Sequence, residues 1–399
     1  MTTQHLYYED SYCREFSAAV VEVRAKGDRR MAVLDRSAFY PASGGQPHDT
    51  GTLGTVRVLE VEEDGAGTIL HLVDSEIGLG PVTGHIDWER RFDHMQQHTG
   101  QHILSQAFIQ VAAAPTLSFH LGQESCTIDV DLAQPAPSVM REAEDLACRV
   151  VFEDRPVHIL TVNRAGLAAL GVRRVSARES EIRVIDVEGF DRSPCGGTHV
   201  RRSGEIGMIA VLGFERYKGG TRVEFACGGR ALTTLRNDHE VLRTLGRLVS
   251  GHRYELPRLT EKLLEERSTL ARENSRLQEQ ILETEAAELV RHADRSTGKA
   301  VVQARFSDRG LETIKVLAQK IAAHPGAVAI LVVVQDSAQI VVAKSSDVPG
   351  DCGTAVKDTT KRLGGRGGGR PELAQAGGIP LSALDAWIQS VAVSLSAQS

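Results

Sequence analysis

Two short segments carry donor atoms at spacings that suit a metal ion: His98-Thr-Gly-Gln-His102 and, farther along, Cys195-Gly-Gly-Thr-His199. The first lies within Met95-Gln-Gln-His-Thr-Gly-Gln-His-Ile-Leu-Ser105, whose apolar positions fit a helix. Residues four apart share a helix face, so both imidazoles can grip one ion. The second offers a thiolate and an imidazole from a loop that Gly196 and Gly197 allow to curl tightly. Three imidazoles and one thiolate make a tetrahedral N/S set of the kind zinc prefers. Either pair alone is a weak signal among 14 His and 6 Cys, but the two together predict a zinc site. Four protein ligands commonly mark a structural site, whereas catalytic zinc keeps a position for water. The spacing is compatible with both.

The elements that must position these residues follow from hydrophobic period and turn chemistry. Residues 16–90 read as β-rich and barrel-like, interrupted by the turn-dense loop Phe39-Tyr-Pro-Ala-Ser-Gly-Gly-Gln-Pro47. A helix over 94–113 carries the two imidazoles, and a strand over Ile182–Val187 leads into the Cys195 loop. We therefore expect a β-rich part over 1–90 and a zinc-binding α+β domain over 91–229. From 230 to 297 the chain is charged and helical. Leu256, Leu263, Leu270 and Leu277 recur every seven residues, with a break near Ser250-Gly251 and a restart at Pro257, which predicts a coiled-coil-like arm. Residues 298–399 read as a small α/β domain, with Ala327–Gln335 as a buried strand.

Composition bounds the function. With 41% hydrophobic and 25% charged residues over 399 positions, the chain is of the soluble globular type, with room for two or three domains. No apolar run approaches the roughly 18 residues of a membrane span, and the first residues lack signal-peptide character. Six unpaired-looking cysteines fit a reducing cytoplasm. Cys13, Cys126, Cys148, Cys227 and Cys352 lack partners at metal spacing and read as small buried apolar residues, and His94 as a packing residue. A net charge of −6 gives no global nucleic-acid signal, so such a partner must meet local basic patches.

Two further features could serve a substrate. In the loop, Gln46 offers a polar group beside bare backbone, and Ser37 a hydroxyl just upstream; Asp49 reads better as a turn cap than as a base. The same loop composition also suits a plain hairpin connection. Basic residues gather at Arg173, Arg174, Arg178 and Arg183, and again at Lys361, Arg362, Arg366 and Arg370. The second group surrounds Gly364–Gly378, where seven glycines in fifteen residues imply close packing or a backbone that approaches a ligand such as phosphate.

The ordered set Leu34-Asp-Arg-Ser-Ala-Phe-Tyr-Pro-Ala-Ser-Gly-Gly-Gln-Pro47, His98-Thr-Gly-Gln-His102, Cys195-Gly-Gly-Thr-His199 and the glycine-rich Gly364–Gly378 resembles the editing and C-terminal domains of alanyl-tRNA synthetase. The free-standing AlaX alanyl-tRNA editing proteins of the long form share that set. The resemblance covers nearly the whole chain and implies an editing domain, a helical arm and a C-terminal domain, with zinc on His98, His102, Cys195 and His199. It places Ser37 where the family usually has Thr, and Gln46 on the family's loop glutamine. It implies a hydrolase that deacylates mischarged tRNA(Ala) in trans, chiefly Ser-tRNA(Ala) and secondarily Gly-tRNA(Ala). No counterpart of the aminoacylation domain precedes Leu34, so aminoacylation is not expected. An apolar pocket alone discriminates weakly against an added hydroxyl, so Ser37 and Gln46 are the expected readers of serine. Lys361, Arg362, Arg366 and Arg370 would contact tRNA, and the arm or C-terminal domain permits a homodimer. Two other readings stay open: a non-catalytic zinc-containing tRNA-binding or assembly factor, and an editor of Ser-tRNA(Thr), whose domains carry similar metal pairs.

Overall fold

A computed structural model describes residues 2–26, 29–163, 182–296 and 298–397. The chain divides into two compact units, Met1–Leu245 and Gly246–Ser399. The division falls inside a helix, Gly228–Leu248, rather than at a linker. Both units mix helix and strand, and no described helix is long and apolar enough to cross a membrane.

The first unit opens with a closed barrel of six strands: β1 (Glu15–Lys26), β2 (Arg29–Leu34), β3 (Gly51–Leu53), β4 (Val56–Glu63), β5 (Ile69–Val73) and β6 (Gly80–Ile86). Their order is β1-β2-β5-β4-β3-β6, with β6 returning to pair with β1. Strand period two sends Phe16, Val20, Leu34, Val58, Val61, Ile69 and Val73 into the barrel. Each such buried side chain contributes roughly 1.5–3 kcal/mol.

Behind the barrel lies α1 (Trp88–Ala112), which starts earlier than the apolar pattern suggested, because Asp87 caps it by accepting from Arg90 N. It ends at Ala113, which adopts a left-handed φ of 50°. The following strands β7 (Thr116–Leu121) and β8 (Cys126–Val130) join β12 (Ile209–Tyr217) and β13 (Gly220–Cys227) in the order β12-β13-β8-β7. Between them in sequence come α2 (Pro137–Phe152) and the antiparallel trio β9 (Val157–Val162), β10 (Ile182–Val187) and β11 (Asp191–Pro194). One core joins Met95, Ile103, Leu104 and Phe108 of α1 to Met140, Ala147 and Val151 of α2 and to Ile128, Val223 and Phe225 of the sheet. Arg173, Arg174 and Arg178 lie outside the described residues. Helix α3 (Gly228–Leu248) follows β13.

In the second unit Ser250 adopts a φ of 52°, and α4 (Leu256–Arg291) restarts the helix with Pro257 in its first turn. Leu263, Leu264, Leu270, Leu277 and Ile281 are exposed, whereas Leu282, Ala286 and Val290 are buried against the sheet that follows. That sheet runs β14 (Ala300–Phe306), β15 (Ala327–Val334), β16 (Ala338–Lys344), then β18 (Leu373–Ile379) and β17 (Arg366–Gly369). Alternate residues of β15 face two cores: Ala329, Leu331 and Val333 toward α5 (Leu311–Ala322), Ile330 and Val332 toward α6 (Cys352–Leu363) and α7 (Leu384–Ala397). Most of the glycine-rich stretch is strand, with close packing at Gly365, Gly367 and Gly369 and positive φ at Gly364 and Gly378. A Cβ on Gly367 or Gly369 would lie 2.5 Å or 2.3 Å from a carbonyl of β18, and one on Gly353 of α6 would lie 2.5 Å from Gly369 O.

Candidate metal centre and its cleft

Helix α1 is buried on nearly every side, so its polar residues must each find a partner. Gln97 treats the backbone of β13 as a neighbouring strand would: it donates from Nε2 to Cys227 O at 3.0 Å and accepts Cys227 N at 2.8 Å. Anchored in this way, α1 presents His98 and His102 to the loop after β11, which carries Cys195 and His199. One donor atom from each of these four residues lies within 4.8 Å of every other. Cys195 Sγ stands 3.4 Å from His98 Nε2 and 3.3 Å from His199 Nε2.

The residues around the ligands fix their orientation. His98 Nδ1 donates to Gln46 Oε1 at 2.8 Å, which leaves the Nε2 lone pair facing Cys195. His199 Nδ1 sits 3.1 Å from Thr99 Oγ1, and His102 Nδ1 faces Asp191 Oδ2 at 3.4 Å. Gln46 in turn donates from Nε2 to Thr198 Oγ1 at 2.8 Å and accepts Thr198 N at 3.1 Å. The Cys195 loop is clamped from below by Arg183, whose Nη1 donates to Cys195 O and Gly197 O, both at 2.8 Å.

Gln46 reaches this position because Ser43-Gly-Gly-Gln46 is a tight reversal. Ser43 and Gln46 exchange backbone hydrogen bonds at 3.1 and 3.0 Å, and Gly44 and Gly45 have φ of 55° and 85°. Positive φ at both central positions is the requirement of a type I′ turn. The turn is an isolated bridge within the loop, and the strands on either side of the loop do not pair with each other.

Electrostatics favour a metal here. Burial opposes ionisation of Cys195, but the His98 and His199 imidazoles and the hydrogen bonds from His102 and His199 overcome it, so the thiol titrates well below its ordinary range. Burial, reinforced by the neighbouring His98 imidazole, holds His199 well below the usual histidine range. His102 is also opposed by burial, yet Asp191 and Cys195 raise it to about 9. A thiolate among three buried imidazoles fits zinc by donor chemistry.

A cleft of about 270 Å³ opens beside the ligands, lined by His98, His102 and Cys195 together with Gln101, Thr116 and Phe119. The sequence-predicted site is thus assembled in part. The four ligands meet, and Gln46 touches them through His98. Ser37 is elsewhere: it is fully buried in the barrel, with Oγ 2.7 Å from His71 Nε2 and accepting Phe39 N at 3.1 Å. Burial lowers His71 to about 4, so that pair is neutral. This internal bonding holds Ser37 in the barrel core, and it is not among the residues lining the cleft. Gln46 has no free acceptor, since His98 and Thr198 share its Oε1. Asp49 is a fully buried partner of Arg91 and not a base. His94 is buried outside the ligand group, and burial lowers it to about 3. Lys361, Arg362, Arg366 and Arg370 are exposed on the second unit, at the end of α6 and along β17. Sequence reasoning missed Thr99, Thr198 and Asp191, although two of them stand inside the motifs that revealed the ligands.

Gly197 is where this site is least tolerant. A Cβ there would lie 2.1 Å from His98 Cε1 and 2.8 Å from Gln46 Oε1. Gly197→Ala is expected to displace the His98 ring and weaken zinc binding about 10- to 100-fold, the usual cost of disturbing a ligand's support. A competition titration with a chromogenic chelator checks this, and unchanged affinity would contradict it.

The comparisons with known proteins agree with these motifs. The profile of the threonyl and alanyl tRNA synthetase second additional domain matches residues 182–224, and that of the DHHA1 domain matches residues 298–392. The alanyl-tRNA editing protein AlaX-L of Pyrococcus horikoshii is 30% identical, over 93% of this chain and 94% of that protein. Alanine-tRNA ligases of Pyrococcus furiosus and Methanoregula boonei are 31% and 32% identical over 94% and 96% of this chain, which spans 42% of the length of each. The chain belongs to the alanyl-tRNA editing protein family.

Proposed function

We propose that this chain is a zinc-dependent hydrolase that deacylates mischarged tRNA(Ala) in trans, Ser-tRNA(Ala) first and Gly-tRNA(Ala) second. The observation that carries this reading is the convergence of His98, His102, Cys195 and His199 in the wall of a cleft, in a member of this family. When bound, zinc would supply Lewis-acid stabilisation and orientation for the ester end of the substrate. The chain's own residues do the rest. Gln46 keeps the His98 proton at Nδ1, Thr99 and Asp191 brace the other two imidazoles, and Phe119, stacked on His98 at 5.2 Å between ring centroids, gives the cleft an apolar wall. No carboxylate lines the cleft among the described residues, so polar groups of the wall hold the attacking water. Lys361, Arg362, Arg366 and Arg370 engage tRNA phosphates, adding affinity that weakens with salt. The exposed leucines of α4 pair with a second copy, and the cytoplasm is the working compartment.

The test uses the pure full-length protein with Ser-tRNA(Ala), Ala-tRNA(Ala) and Ser-tRNA(Thr), following loss of the ester. Ser-tRNA(Ala) should be hydrolysed at least about 100-fold faster than Ala-tRNA(Ala), well within the reach of a site that bonds a hydroxyl, and faster than Ser-tRNA(Thr), which carries the same serine on a different tRNA. Preferential loss of Ser-tRNA(Thr) would assign the other editing specificity. No loss from any of them with zinc loaded would leave the binding-factor reading.

A further inference from the structure

The wall of the cleft contains a polar group that the metal ligands do not use. Gln101 lies between the two helical histidines, is 5% exposed and lines the cleft with them. Its Nε2 donates to Ser105 Oγ at 2.7 Å, and Thr116 Oγ1 donates to the same oxygen at 2.6 Å. With Nε2 turned onto Ser105, the carbonyl Oε1 is left without a hydrogen-bond partner among the described residues. The other hydroxyls lining the cleft already donate to protein acceptors, and their remaining lone pairs are the polar groups of the wall that serve the attacking water. Thr116 is bound to Ser105, Ser118 donates to Asp129 at 2.6 Å, and Ser193 donates to Asp191 at 2.9 Å. The expected readers are committed as well, Ser37 to His71 and Gln46 to His98 and Thr198.

We propose that Gln101, held by Ser105 and Thr116, reads the side-chain hydroxyl of a seryl ester, its Oε1 accepting the O–H of serine. This rests on the deacylase reading and transfers to Gln101 the selectivity first sought in Ser37 and Gln46. A fixed acceptor in a partly desolvated wall is satisfied only by a donor. Alanine brings a methyl to that place, which both fails to donate and keeps water from the oxygen, so the correct amino acid is disfavoured. Glycine leaves room for a water to bond Oε1 in place of the hydroxyl, which ranks it between the two. The selectivity lies in the helix that also carries two ligands, so the reader and the reaction centre share one rigid element.

Hydrolysis-resistant 3′-amides of 3′-amino-3′-deoxyadenosine with serine, alanine and O-methylserine, titrated calorimetrically into the zinc-loaded full chain, test this apart from turnover. Wild type should bind the seryl amide about 10- to 100-fold more tightly than the alanyl amide, the range for one buried hydrogen bond to a substrate. The O-methylseryl amide, which cannot donate, should bind no more tightly than the alanyl amide. Gln101→Met keeps the length but not the acceptor; it should bind the alanyl amide within about threefold of wild type and lose the seryl preference. A seryl preference that survives in Gln101→Met, or an O-methylseryl amide bound as tightly as the seryl amide by wild type, overturns the assignment. The second comparison needs no variant, so it can overturn the assignment even if Gln101→Met does not fold. Selective binding of the seryl amide without hydrolysis of the seryl ester keeps Gln101 as the reader and overturns the deacylase reading instead.

Discussion

Cys195→Ala should release the metal and slow deacylation of Ser-tRNA(Ala) by roughly a thousandfold or more, with little loss of folded structure. The three conclusions have separate causes. Cys195 provides the one anionic donor of the four, so its removal leaves three neutral imidazoles with a much weaker hold on a divalent ion. Loss of the ion removes several kcal/mol of charge stabilisation at the ester, which at about 1.4 kcal/mol per decade is a factor of this size. The fold survives because the loop is held through its backbone: Arg183 bonds Cys195 O and Gly197 O, and neither contact involves the sulfur. Metal content by atomic emission, single-turnover deacylation and near-ultraviolet circular dichroism separate the three. Activity within tenfold of wild type in metal-free Cys195→Ala would remove zinc from the reaction and leave it a staple.

What the sequence could reveal about this site follows from how local each piece of information is. The His98–His102 pair depends only on helical period, and the compact Cys195 loop on two glycines, so both are visible in the residues themselves. The neighbours that orient the ligands are long-range. Gln46 meets His98 across 52 positions and Thr99 meets His199 across 100, and nothing in local pattern announces such a bond. Ser37 shows the same limit from the other side. A hydroxyl near a turn looks available, but whether it faces cleft or barrel depends on His71, 34 residues away and inward-facing between Ile69 and Val73 on β5. The barrel closes through β6, whose Gly80-Pro81 start and mixed polarity hide it from strand patterning. The glycine-rich stretch was recognisable as bare backbone, yet only the pairing of β17 with β18 and the approach of α6 show that Gly365, Gly367 and Gly369 are bare for packing.

Arg91→Ala is expected to be the most destabilising single change in the first unit, at about 3–5 kcal/mol, the range for stranding one half of a buried ion pair. Arg91 and Asp49 are both fully buried. The guanidinium donates from Nε to both Asp49 oxygens at 3.0 and 3.1 Å and from Nη2 to Asp49 Oδ2, Nη1 donates to Ser11 O at 2.9 Å, and Nη2 also donates to Ala38 O at 2.6 Å. Asp49 also accepts Tyr40 N at 2.6 Å. One side chain of α1 therefore fastens the N-terminal segment and both ends of the loop that delivers Gln46 to His98. Without it, the Asp49 carboxylate is left in the interior with the Tyr40 N–H as its remaining hydrogen bond here. Lysine will not restore the contact, because one ammonium cannot satisfy a carboxylate and two carbonyls arranged for a planar fork. Urea unfolding followed through Trp88, in a Trp387→Phe background, should show the lowered midpoint in both Arg91→Ala and Arg91→Lys. The loosened loop should also cost about 10- to 100-fold in zinc affinity through the lost support of His98. A midpoint equal to that of the parent would mean that the barrel and α1 are joined by other contacts, and that the Arg91–Asp49 pair sits among them without holding them together.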